Sequence, residues 1–158
     1  MNKDNIVSQL LYLYPYTFHK SAHHISALLK HSKILQSATN VIEPVYTKRK
    51  TFCSLHAEIN VLTQYYRKNC NIKNNCLRYI DRDGTKIKSN LDLIVIRVNN
   101  ENSFLNSEPC FHCSNVIKYF HIKNIYFSNG NGDEIVKKKT DCLNYHISRG
   151  NRNNKIKN

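Results

Sequence analysis

Two short runs carry the residues best able to do chemistry: His56-Ala57-Glu58 and, about fifty positions later, Pro109-Cys110-Phe111-His112-Cys113. Cys110 and Cys113 stand three apart, so on a helix they share one face at its first turn. The positive end of that helix favours their thiolates. A helix starting at His56 presents an imidazole in the same way. If the two helix starts converge, three ligands surround one Zn²⁺ and a fourth position stays open for water, the arrangement of a catalytic rather than a structural site. Glu58 lies too near His56 in sequence to be an obvious fourth ligand. It is well placed to take a proton from an activated water and deliver it to a leaving amine. Together these groups suit hydrolytic attack on an amidine-like carbon, such as C4 of cytosine or C6 of adenine, with ammonia leaving.

From Ser21 to Val136 the chain resembles the cytidine deaminase superfamily, and within it the dCMP deaminase-like branch. The resemblance is carried by paired strands ending in Asn40, the run Cys53-Ser-Leu-His-Ala-Glu-Ile-Asn60, the run Ser107-Glu-Pro-Cys-x-x-Cys113, and the strand Asn124-Ile-Tyr-Phe-Ser128. Both motifs in this order, each before a helix, are specific; either alone is weak. The resemblance implies that Asn40 contacts the bound nucleoside and that the backbone at Ala57 contacts the pyrimidine. Relatives often complete their pockets with a neighbouring subunit, so a homo-oligomer is implied too. The leading expectation is a zinc-dependent deaminase of a cytosine nucleotide, dCMP foremost, with His56, Cys110 and Cys113 on the metal and Glu58 as general acid and base. One alternative is a deaminase acting on bases within RNA or single-stranded DNA. Another is a zinc-stabilised nucleic-acid-binding module without catalysis.

The elements that must position these groups can be read coarsely. Asn5 to Leu13 has helical spacing after Asp4, a candidate N-cap, and Pro15 closes it. Ser21 to Leu29 and Lys33 to Thr39 read as strands joined at His31-Ser32. Ser54 to Lys68 reads as a helix capped by Ser54, with Leu55, Ile59, Leu62 and Tyr66 as its apolar stripe. Asn69 to Asn90, which holds Asp83-Gly84, reads as a long loop with a weak hairpin. Leu91 to Val98 is nearly continuous in apolar residues, so it should be central and buried on both faces. Cys110 to Phe120 reads as a helix with Pro109 in its first turn. Ile125 to Ser128 and Glu134 to Val136 are strands around a tight turn at Asn129-Gly-Asn-Gly132. The order implies an α/β fold, a three-layer α/β/α sandwich around a mixed sheet. Five residues between Ser128 and Glu134 are too few for a parallel crossover, so the last two strands should be antiparallel. Cytidine deaminases proper close this way, whereas the dCMP, tRNA-adenosine and polynucleotide enzymes use a helix crossover. The His-Ala-Glu motif therefore points to one branch and the closing hairpin to the other.

Other residues have plainer readings. A purely structural zinc needs a fourth ligand, for which Cys53, His112 and Cys142 are candidates. Cys70 and Cys76 read as ordinary thiols. His23 and His24 should point to opposite faces of a strand. Tyr126 and Phe127 read as sheet packing. His146, Arg149 and Arg152 could grip a phosphate, though a solvated basic end is the plainer reading.

The bulk properties set the bounds. The 158 residues fit one domain, residues 1–149, with the polar, basic segment 150–158 as a tail. Ten Tyr and six Phe within a 41% hydrophobic composition supply a core. No apolar run approaches a membrane span, and the N-terminus lacks a signal-peptide cleavage site, so no membrane partner and a cytoplasmic location are expected. Six cysteines in a reducing compartment are thiols and metal ligands rather than a disulfide frame. The formal charge of +13 suits a nucleic acid or an anionic nucleotide as partner. It equally suits a solvated surface in a chain rich in Lys, Asn and Ile.

Overall fold

A computed structural model describes residues 3–15, 23–41, 45–46, 51–52, 55–69, 71–72, 79–80, 90–101, 103–131 and 134–143. Helix α1 (Lys3–Leu13) buries Ile6, Val7 and Leu10, one side of a helical repeat. It starts at Lys3, so Asp4 lies inside the first turn rather than at a cap, where its charge still complements the helix N-terminus. Strands β1 (His23–Lys30) and β2 (Lys33–Thr39) form the expected hairpin. His31 and Ser32 both have positive φ, 49° and 65°, the mirror-image turn whose twist matches the flanking strands.

Helix α2 spans Ala57–Asn69 and begins later than its sequence suggests. Leu55 exchanges backbone hydrogen bonds with Val41 at 2.8 and 2.9 Å, which holds it out of the helix. The buried stripe is therefore Val61, Leu62 and Tyr66, with Ile59 only partly covered. Strand β3 (Asp92–Val98) is central, as its apolar run implied, and the two-residue strand β4 (Phe104–Leu105), not foreseen, pairs with its end. Helix α3 (Phe111–Tyr119) leads into β5 (Asn124–Ser128) and β6 (Ile135–Lys139), and a short 3-10 turn follows at Thr140–Cys142. Cys110 is the N-cap of α3, so Pro109 precedes the helix instead of occupying its first turn.

The sheet runs β6-β5-β3-β1-β2, with β4 beside β3. Only β3 and β5 are parallel, and α3 makes their crossover; every other pair is antiparallel. The closing β5–β6 hairpin is thus as expected. It turns at Asn129-Gly130, where Gly130 has φ +80° and a Cβ would stand 2.9 Å from the backbone N of Asn106. No larger residue fits that approach without movement. Strand β6 is an edge strand whose sequence, Ile-Val-Lys-Lys-Lys, ends in three lysines.

Three layers result. Helix α1 covers one face through Ile25, Ala27, Leu29, Ile94, Ile96 and Val98. Helices α2 and α3 cover the other through Leu28, Ala38, Leu93, Val95, Ile125 and Phe127. Register aligns Ala38, Ser26, Val95 and Phe127 as one row across that second face. One residue pair further on, towards the N-termini of α2 and α3, the row becomes polar: Asn40, His24 and Arg97. Cys53, Ser54, the basic run Lys48-Arg49-Lys50, Cys70, Cys76, Asp83-Gly84 and everything from Asn144 onward lie outside the described residues.

Candidate zinc centre

The metal-ligating candidates sit at the caps of two helices. His56 directly precedes α2, and its carbonyl accepts the first helical hydrogen bond, from Asn60 N at 3.0 Å. Cys110 does the same for α3, its carbonyl accepting from Ser114 N at 2.8 Å. Cys113 follows in the first turn of α3. A capping residue has a side chain that turns toward the unpaired N–H groups of its own helix. Two helices packed on one sheet face, with both N-termini at the same end, therefore bring both caps together.

The result is a compact donor set. The Nδ1 of His56 lies 3.6 Å from Cys110 Sγ and 3.3 Å from Cys113 Sγ. All three ligand atoms fall within 4.8 Å of one another. Tetrahedral zinc with ordinary Zn–S and Zn–N bonds requires an N···S separation of about 3.6 Å. The side chains present thus fit the ion. Two of the three fourth-ligand candidates do not join them: His112 and Cys142 are both exposed and outside the cluster, while Cys53 lies outside the described residues. Among the described residues the set stops at three, which is the ligand count of a catalytic zinc.

The electrostatics match. Cys113 hydrogen-bonding to Cys110 pulls the Cys110 thiol down to about 3, aided by His56 and opposed by burial. The Cys113 thiol moves the other way, well above its usual value, because it donates to Cys110 and is buried beside Glu58. By themselves the two sulfurs thus share a single proton. The His56 imidazole is raised, chiefly by its bond to Cys110, with burial opposing and Glu58 assisting. Glu58, 4% exposed in the first turn of α2, is raised by burial against the pull of His56, its own backbone N–H and Cys113. A buried carboxyl raised in this way holds a proton more readily than an exposed one, as a group that must both accept and return a proton requires.

The two residues assigned to substrate by resemblance flank this centre. Ala57, fully buried, opens α2 between His56 and Glu58. Its backbone N–H belongs to the helix-start donors that have no intrahelical partner. Asn40 follows β2 and is clamped to β1: its backbone N donates to His24 O at 3.1 Å, and its Oδ1 accepts from His24 N at 3.0 Å. That bond fixes which end of the amide is oxygen and leaves the Nδ2 hydrogens to face outward as donors. Asn60 of α2 donates from Nδ2 to Thr39 O at 2.8 Å, tying the end of β2 to the helix that carries Glu58. No local signal marks this tie, since it depends on which turn of α2 meets which residue of β2. The plainer readings hold for Tyr126 and Phe127, buried on opposite sheet faces. His23 and His24 are both half-buried in β1.

A sheet with one parallel pair, two helix caps converging at its end, and a His/Cys/Cys donor set beside a buried glutamate are the features of a zinc-dependent deaminase. The cytidine and deoxycytidylate deaminase zinc-binding region matches residues 4–129, and the chain belongs to that family. No curated protein matches the chain at a significant level. Among the described residues, no helix is long and apolar enough to cross a membrane.

Proposed function

We propose that the protein hydrolytically deaminates a cytosine nucleotide, with dCMP the leading substrate. A water oxygen adds at C4, the C4–N4 bond breaks, and ammonia leaves, so cytosine plus water gives uracil plus ammonia. His56, Cys110 and Cys113 would hold the zinc ion, which when bound would supply Lewis acidity at the reaction centre. Glu58 takes the proton that water gives up and returns it to the departing amine. Asn40, held rigid by β1, orients the sugar through its amide donors. The backbone at Ala57 meets the pyrimidine between the metal ligand and the proton shuttle.

The observation that carries this reading is the position of Glu58. It is buried, its pKa is raised, and it stands within the electrostatic influence of both His56 and Cys113. A structural zinc site would have no need for such a carboxylate. The net charge of +13 favours a second reading, a base within RNA or single-stranded DNA as the substrate. Steep loss of affinity with salt separates the two, because polynucleotide binding releases many counterions and a mononucleotide releases few.

The test is ammonia release by zinc-loaded protein on dCMP, CMP, deoxycytidine, cytidine and a short single-stranded oligonucleotide. Turnover of a free nucleotide, falling by ~10²–10⁴ in Glu58→Ala as expected for loss of a general acid–base, supports the proposal. Turnover confined to the oligonucleotide moves the substrate to nucleic acid. Zinc-loaded, folded protein that turns over none of the panel refutes the cytosine assignment.

A further inference from the structure

Along the α2/α3 face of β3, Leu93 and Val95 pack into the apolar cluster, and the next side chain on that face is Arg97. It is half-buried. Its Nε is shielded from solvent and makes no hydrogen bond, and among the described residues no carboxylate pairs with its guanidinium. A guanidinium offers five N–H donors in a fixed, planar fork. A shielded guanidinium N–H without a partner is costly, and an anion that meets it removes the cost.

The setting says where that anion sits. Arg97 is paired across the sheet with His24 on one side and Leu105 on the other. His24 is in turn hydrogen-bonded to Asn40. Two strand spacings, about 10 Å, therefore separate Arg97 from Asn40. The row they share lies about 7 Å along the strands from Val95, which packs in one cluster with Cys110 and Cys113. A ligand with its base at the zinc centre and its sugar at Asn40 has Arg97 within reach, two strand spacings from Asn40 along the same row. The planar fork of arginine suits the oxygens of a phosphate.

We propose that Arg97 receives the 5′-phosphate of a mononucleotide whose base lies at Glu58 and whose sugar lies at Asn40. This rests on the deaminase reading above and makes the site selective for nucleotides over nucleosides.

The test uses full-length, zinc-loaded protein with two probes. First, melting temperature is followed with and without inorganic phosphate in wild type, Arg97→Gln and Arg97→Lys. Phosphate should stabilise wild type, Arg97→Lys less, and Arg97→Gln not at all. Without phosphate, Arg97→Gln should melt at or above the wild-type temperature, because an unpaired charge has been removed. A drop of several degrees there makes Arg97 structural and overturns the proposal. Second, dCMP and deoxycytidine binding are measured in a Glu58→Gln background, which prevents turnover. dCMP should bind at least tenfold tighter, and adding Arg97→Gln should bring the ratio near one without changing deoxycytidine affinity. An unchanged ratio, equal phosphate stabilisation of both proteins, or a loss confined to a single-stranded oligonucleotide overturns the proposal. Arg97-dependent phosphate stabilisation with no binding of any cytosine compound refutes the cytosine reading and leaves the phosphate role of Arg97 standing.

Discussion

The two faces of the central sheet are covered with different materials. On the α1 face, Ile6, Val7 and Leu10 meet Ile25, Ala27, Leu29, Ile94, Ile96 and Val98, and none of the metal-ligand candidates His56, Cys110 and Cys113 belongs to that cluster. On the α2/α3 face the apolar cluster includes Cys110 and Cys113 and borders Glu58, His56, Asn40 and Arg97. The strands supply both faces from one alternating sequence, so the difference comes from the helices. Helix α1 lays a continuous apolar stripe along the sheet. Helices α2 and α3 both start at one end, where unpaired N–H groups and capping side chains cannot be closed over by hydrocarbon. Chemistry collects at that end, and the opposite face is left to hold the fold together.

Substitutions can break this division or sharpen it. The largest effect is expected from Cys113→Ala, which removes one of three zinc ligands. Zinc content by atomic absorption should fall to background and turnover should vanish. Leu10→Ala, on the opposite face, should leave a full equivalent of zinc. It should instead lower unfolding free energy by about 2–5 kcal/mol, the usual range for emptying a buried leucine site. Chemical denaturation of the two variants would show the contrast, and zinc loss from Leu10→Ala under folded conditions would break it. The smallest effect is expected from Asn60→Ala, which removes the 2.8 Å tie to Thr39. Stability should fall by about 1 kcal/mol. If that tie positions Asn40, KM should rise several-fold while kcat holds. A fall in kcat alone would place the disturbance at Glu58 instead.

The chemistry was the most legible part of the sequence, because ligand type and spacing are local. His56, Glu58, Cys110 and Cys113 could be picked out without knowing any contact. Continuous apolarity marked β3 as central, and the short Ser128–Glu134 interval required the closing hairpin. Less legible was whatever depends on register. The start of α2 was misread because Leu55 looks like a helix-stripe residue, and only its pairing with Val41 shows otherwise. Pro109 was read as a first-turn residue because proline favours that position, yet Cys110 takes the cap and pushes Pro109 out. Arg97 carries no signal of its own within the apolar run of β3. That its Nε has no partner among the described residues emerges only when the neighbouring strands are laid beside it.

The lysines that end β6 have a bearing on the chain before it is folded and wherever it is crowded. A sheet edge offers unpaired N–H and C=O groups to any other strand. Among the described residues β6 is such an edge, and it carries Lys137, Lys138 and Lys139 in succession, with Lys138 ion-paired to Glu108 at 2.8 Å. Two copies meeting edge to edge would bring like charges into register, so the strand resists templating a neighbour. Part of the positive charge is thereby a guard against aggregation, present whether or not a nucleotide is ever bound.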